Sequence, residues 1–160
     1  MLSDRQAKTA ALLTEVIHAL KQGLETNLVA VVLFGSQARG EAGEASDWDL
    51  FVVAQNLPQK PWQRHLFLKR LLPEDWRGRV AILARTPAEF ESRLVALYLD
   101  IAQDGIVLYD SGHYITARLS YLRRLIAQHG LRREILGKEM IWRWTKPPTS
   151  DWALTWEIGQ

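Results

Sequence analysis

The sequence predicts an α/β fold: a small mixed β-sheet flanked by helices, followed by a C-terminal helix and a Trp-rich β-hairpin tail. Three observations carry this. Apolar runs rich in β-branched residues alternate with amphipathic stretches at helical spacing, turn residues separate them, and tryptophans alternate with other residues near the C-terminus. Strands interleaved with helices build layered α/β domains. A chain of 160 residues is the size of one unit with a genuine core.

Taken in order, Ser3 or Asp4 can cap a helix reaching about Thr26, with Ala7, Ala10, Leu13, Ile17 and Leu20 at helical spacing and Gly23 near its end. Residues 28–34 are continuously apolar and β-branched, the pattern of a strand buried on both faces, and the run ends at Gly35. Residues 48–53 read as a second strand. Gln55-Asn56-Leu57-Pro58 then breaks the chain before a helix over about 61–72. A third strand over about 79–84 leads into Thr86-Pro87-Ala88-Glu89, a capping box with Pro at the first helical position, and that helix is expected to run to about Gln103. Asp104-Gly105 turns the chain into the short strand 106–109, which Asp110-Ser111-Gly112 closes. A mixed sheet of about four strands follows. From about Tyr114 to His129 an amphipathic helix places Ile115, Leu119, Leu122, Leu125 and Ile126 on one side, and Gly130 stops it.

The last segment alternates twice. Met140, Trp142 and Trp144 precede the interruption Lys146-Pro147-Pro148-Thr149-Ser150, and Trp152, Leu154, Trp156 and Ile158 follow it. This reads as a hairpin with one aromatic face, to be buried on the chain's own domain, on a second copy or on a partner. Charge is uneven as well, with eight Lys/Arg against two Glu over residues 113–146 in a chain whose net charge is only +2. Such a region either solvates a helix face or attracts nucleotide phosphate, RNA or an acidic partner.

Composition excludes several classes. There is no cysteine, so disulfides and thiolate metal sites are ruled out and a reducing cytoplasmic setting fits. The N-terminus lacks a charged cap followed by an apolar stretch, and no apolar run approaches the roughly 20 residues that span a membrane. The four histidines have no ligand spacing, and neither a phosphate-binding Gly-x-x-x-x-Gly-Lys run nor a Gly-x-Gly-x-x-Gly fingerprint is present.

The chemistry concentrates between Gly35 and Asp49. Gly35 permits a sharp turn and close approach of a ligand to the backbone. Ser36 suits the N-cap of a short helix carrying Gln37, Ala38 and Arg39. The helix N-terminus, with Arg39 as an added cation, suits a triphosphate. In Asp47-Trp48-Asp49-Leu50-Phe51-Val52-Val53, strand alternation puts Asp47 and Asp49 on one face, roughly 7 Å apart at Cα. Two close carboxylates repel, and a hard divalent cation such as Mg²⁺ removes the repulsion while bridging to phosphates. Two such ions about 3.5–4 Å apart are the arrangement of nucleotidyl transfer.

Gly35-Ser36, ten intervening residues and Asp47-x-Asp49 resemble the signature of the DNA-polymerase-beta-like nucleotidyltransferase superfamily, and within it the minimal nucleotidyltransferase (MNT) branch. The resemblance implies a polymerase-beta-like core over residues 1–112 and a C-terminal extension over 113–160. It also implies MgATP as substrate, Asp47 and Asp49 as catalytic metal ligands, and Gly35, Ser36 and Arg39 as nucleotide-binding residues. The implied partner is a HEPN-domain ribonuclease toxin, silenced by transfer of AMP onto a Tyr, Ser or Thr hydroxyl. A homo-oligomer through the Trp-rich tail is a further expectation, whereas membrane and direct nucleic-acid binding are not expected.

The superfamily carries a third carboxylate on a later strand. The matching segment is Gly78-Arg79-Val80-Ala81-Ile82-Leu83, with Ala81 at the expected position. Asp100, Asp104 and Asp110 are the candidates to replace it. A degenerate antitoxin that neutralises its partner by binding alone is the alternative function. A small-molecule transferase is a third reading, for which so short a chain leaves little room.

Overall fold

In the computed structural model, which describes residues 4–43, 45–145 and Trp156, one sheet carries the strands β1 (Leu28–Phe34), β2 (Trp48–Ala54), β3 (Val80–Arg85) and β4 (Ile106–Asp110) in the order β3-β2-β1-β4. β1 runs antiparallel to β2 and β4, and β2 runs parallel to β3, so the sheet is mixed as expected. The central strands are apolar on both sides because both sides are covered: Ala30 to Leu33 and Leu50 to Ala54 are fully buried.

Two helices, α1 (Asp4–Leu12) and α2 (Thr14–Leu24), cover one face together with α4 (Pro61–Leu71). Val31, Leu33, Leu50 and Val52 meet Leu13, Val16, Leu20 and Leu68 there. The short α3 (Gly35–Arg39) lies between β1 and β2 in the chain. The opposite face, with Ala30, Val32, Phe51 and Val53, packs under α5 (Pro87–Ser92), α6 (Ala96–Asp104) and α7 (Tyr114–Gln128) through residues such as Phe90, Leu99, Ile115 and Leu119.

Two expected helices are each broken once. The N-terminal one interrupts at buried Leu13, whose φ of −96° and ψ of 12° leave the helix. The hydroxyl of Thr14 donates back to the carbonyls of Ala10 and Ala11, both at 3.0 Å, a local bond that bends helices. The Thr86–Glu89 capping box is present, but its helix stops at Ser92 and Arg93 is extended. Along an unbroken helix Phe90 and Tyr98 would stand about 12 Å apart in rise. The break brings their rings to 4.8 Å over Phe51, so an aromatic cluster overrides local propensity.

The chain continues into a hairpin of β5 (Leu131–Leu136) and β6 (Glu139–Trp144). β6 lies where alternation placed it, but its partner precedes it in the chain. Leu136 pairs with Glu139 across a two-residue turn that Gly137 opens at φ 64°, and a positive φ at the first turn position is what a tight hairpin asks of glycine. The other half expected for the hairpin, 152–158, lies outside the described residues apart from Trp156. Trp142, Trp144 and Trp156 all pack against the chain's own α6–α7 side, with Trp156 stacked on Tyr121 at 5.5 Å and edge-on to Phe90 at 5.0 Å. Among the described residues no helix is long and apolar enough to cross a membrane.

Phe51 is the centre of this packing, fully buried and 5.2 and 5.8 Å from the rings of Phe90 and Tyr98. Phe51→Ala is expected to cost about 3–5 kcal/mol in denaturant unfolding. A loss under about 1 kcal/mol would show that the cluster does not hold α5 and α6 in place.

Candidate active site

β1 delivers the chain to Gly35, whose φ of 75° is open to glycine and strained for other residues. A Cβ built on Gly35 would collide with the Asp49 carboxylate, so the Gly35 backbone and the Asp49 side chain lie in direct apposition. The strand register produces this, since Phe34 of β1 stands opposite Asp49 of β2. Asp49 shares its side of the sheet with Phe51 and Val53, and Trp48, Leu50 and Val52 take the other, as alternation predicted.

Ser36 does not take the N-cap expected of it. Gly35 turns the chain one residue early, extended Phe34 occupies the cap position without a side-chain cap bond, and Ser36 falls inside the first turn of α3. That helix has 5 residues and ends at Gly40, whose φ is 74°. The following loop is tied back by Gln37, which donates Nε2 to the Ser46 carbonyl at 3.3 Å, and by the Gly43 amide, which donates to the Ser46 hydroxyl at 3.1 Å. Asp47 is the last residue before β2 and is exposed, while Asp49 is half-buried.

Burial pushes the Asp49 carboxyl above its ordinary value, the charge of Asp47 adds to the rise, and Arg39 opposes it. The three groups therefore share one local field with negative charge in excess, which favours a bound cation. Arg39 donates Nε to Glu41 at 2.9 Å and Nη1 to Asp104 at 3.5 Å. The structure thus gathers Gly35, Arg39, Asp47 and Asp49, with Ser36 next to Gly35 in the chain.

Of the three candidates for the third acid, only Asp104 is recorded against this group, through its long contact with Arg39. β2 and β3 pair so that Ala81 stands in register beside Asp49, exposed and without a carboxylate. Asp100 accepts from Arg133 at 3.2 Å and from the Trp142 indole at 3.0 Å. The Asp104 carboxylate accepts chiefly from Arg133 Nη1 and Nη2, at 2.6 and 2.8 Å. Asp110 caps α7 by accepting from the Ile115 and Thr116 amides. Arg133 and Trp142 were missed as neighbours of the site. They bind Asp100 across 33 and 42 residues of sequence, a separation no local pattern encodes.

A cavity of about 450 Å³ lies elsewhere, between α4 and the edge strand β3, lined by Arg64, His65, Leu68, Lys69, Ile82 and Arg85 among others. It contains none of the motif residues. Its Arg64 is consumed by Glu89 at 2.8 Å and by the Pro58 and Ala84 carbonyls.

The raised pKa has a thermodynamic sign. The folded state holds the Asp49 proton more tightly than the unfolded chain does, so ionising Asp49 costs stability above its ordinary value of 3.8. Asp49→Asn is expected to raise Tm at pH 7, with the gain shrinking as the pH falls through the raised pKa and gone below 3.8. A lower Tm at pH 7 would mean that the carboxylate stabilises the fold.

Among known families, the one described as Polymerase beta, Nucleotidyltransferase matches residues 15–113, more than half of the chain and the whole Gly35–Asp49 segment. A candidate protein adenylyltransferase of Methanocaldococcus jannaschii is 43% identical over 63 residues, 39% of this chain and 43% of that protein. The chain therefore matches less than half the length of that curated relative. Among solved structures, a toxin–antitoxin crystallised with AMP-PNP has TM-score 0.51 at 19% identity, covering 73% of this chain and 91% of the other. A mutant MntA–HpeT toxin–antitoxin has TM-score 0.50 at 17% identity, with 73% and 91% covered. At these identities the likeness is one of fold. The family match spans both halves of the motif that the fold presses together, and the chain belongs to the polymerase beta nucleotidyltransferase family.

Proposed function

We propose that this chain transfers AMP from MgATP to a hydroxyl side chain of a partner protein, a HEPN ribonuclease toxin, and thereby acts as its antitoxin. The observation that carries the reading is the apposition of the Gly35 backbone to the Asp49 carboxylate, with Asp47 and Arg39 in the same field. A nucleotide substrate and a divalent metal belong to the family in general. Support for a protein acceptor comes from the relative named as a candidate protein adenylyltransferase. Support for an antitoxin role comes from the shared fold with proteins described as toxin–antitoxin. The HEPN class follows from the MNT resemblance of the motif.

Glycine at position 35 lets the Asp49 carboxylate lie against the backbone, where a methyl group would displace it from the cation that would bridge it to a substrate phosphate. The first turn of α3 offers N–H groups to the same anion, and Arg39 supplies a formal positive charge. Asp47 and Asp49 fit a divalent cation, since their shared field is short of positive charge and the donors are hard oxygens. Among the described residues no three metal-ligating side chains converge, so water and phosphate would complete the shell, as they commonly do for Mg²⁺. When bound, two Mg²⁺ ions would neutralise the phosphates and polarise the reacting oxygens.

The acceptor oxygen forms a bond to the α-phosphorus as the α–β bridging bond breaks, pyrophosphate leaves and the hydroxyl proton passes to solvent. Because Ala81 supplies no base from β3, the chain's contribution is positioning and charge neutralisation. Ala81 also raises the second reading, a protein that silences its partner by binding alone.

The experiment is incubation with α-labelled ATP, Mg²⁺ and host lysate, beside the Asp47→Ala/Asp49→Ala variant. Transfer predicts a labelled protein band that falls by about 10³-fold or more in the variant. Measurable MgATP binding with no band, and toxin neutralisation unchanged by Asp47→Ala, would establish binding alone. Gly35→Ala is expected to weaken MgATP binding by at least roughly tenfold, a factor worth about 1.4 kcal/mol. Unchanged affinity would show that the apposition of Asp49 to the Gly35 backbone is not needed for nucleotide binding.

A further inference from the structure

Asp104, at the end of α6, stands between two arginines. Its Oδ1 accepts from Arg133 Nη2 at 2.8 Å, and its Oδ2 accepts from Arg133 Nη1 at 2.6 Å and from Arg39 Nη1 at 3.5 Å. Arg133 therefore takes the carboxylate as a two-pronged fork and leaves Arg39 only a long contact. Arg133 is itself held on several sides: Nη1 also donates to Asp100 at 3.2 Å, the Trp142 indole donates to the same Asp100 oxygen, and the guanidinium lies 5.7 Å from the Trp142 ring centre. Arg133 and Trp142 belong to the β5–β6 hairpin, which begins beyond residue 113 where the family match ends.

We propose that Arg133 is a positioning residue that satisfies Asp104 and so keeps Arg39 available to nucleotide phosphate, making the affinity of the site depend on the docked C-terminal hairpin. The proposal rests on the nucleotide reading above. Asp104 and nucleotide phosphate compete for a single cation, Arg39. The side chain of Asp104 is only 9% exposed, and a charge so removed from water demands a partner. With Arg133 in place that demand is met. Without it, Arg39 is the remaining cation recorded on Asp104, and a desolvated ion pair there would compete directly with phosphate. The other partner of Arg39, Glu41, is 59% exposed, and an exposed pair yields readily to a phosphate. The hairpin thereby reaches the site through one carboxylate without touching the ligand.

The test is the affinity of the full chain for the Mg²⁺ complex of a non-hydrolysable ATP analogue, by calorimetry, across four proteins: wild type, Arg133→Gln, Asp104→Asn and the double variant. Near-ultraviolet circular dichroism of the hairpin tryptophans checks that each is folded. Arg133→Gln is expected to raise Kd about tenfold. Asp104→Asn is expected to bind at least as well as wild type, and the double variant to return to within about threefold of it, because removing the competing charge frees Arg39. A merely structural role for Arg133 gives no such rescue. Should Arg133→Gln fail to fold, Arg133→Lys keeps the charge without the fork and is expected to weaken binding less, again with rescue by Asp104→Asn. Unchanged affinity in the Arg133 variant, or a loss that Asp104→Asn does not reverse, overturns the positioning role alone. Absence of binding by the wild type overturns the nucleotide reading and this role with it.

Discussion

The pairing of β1 with β2 that sets Phe34 opposite Asp49 is the constraint on which the rest depends. It places a glycine backbone and a carboxylate in one small space, and neither element could do so alone. A slip of one residue would turn Asp49 towards the α2 side and send Leu50 to the opposite face. What fixes the register is the burial of both faces, where each of Val31, Leu33, Leu50 and Val52 on one side, and Ala30, Val32, Phe51 and Val53 on the other, has a helix to pack against. The site is thus held by the core rather than by its own bonds, and the core can carry the cost of a half-buried acid beside a second one.

That cost indicates the direction of the chemistry. Other buried or half-buried carboxylates are paired with cations: Asp104 with Arg133, Glu89 with Arg64, and Glu91 with Arg118, the last also accepting from the Tyr114 hydroxyl. Glu89 accordingly sits below its ordinary pKa: burial works against the drop, while the bonds from Arg64 and Thr86 produce it. Asp49 is displaced in the opposite direction by burial and by Asp47. An acid left short of positive charge and pressed against a glycine backbone is a site shaped for a cation, and Arg39 in the same field can meet that cation's anion. The 450 Å³ cavity against β3 contains neither aspartate nor Gly35.

Much of this was legible in the sequence because it is local. The continuous apolar run 28–34, the alternation from Asp47 to Val53 and the Thr86–Glu89 capping box each encode their structure within a few residues, and all appear. The Gly35–Asp49 spacing was enough to suggest the family. The failures share a cause as well. The break after Ser92 serves a ring cluster on another strand, and the break at Leu13 follows from a threonine bonding backwards. The pairing of β6 with Leu-Arg-Arg-Glu-Ile-Leu was hidden because that run alternates poorly. Arg133 read as one more basic residue of a charged region, since its role is set by Asp104, 29 residues away.

The measurement that tests the account most directly is a crystal structure with Mn²⁺ and a non-hydrolysable ATP analogue, read by the anomalous signal of the metal. The account predicts manganese on the Asp47 and Asp49 carboxylates, with phosphate over Gly35 and against the first turn of α3. Manganese away from both aspartates, or nucleotide seated in the cavity between α4 and β3, would contradict it.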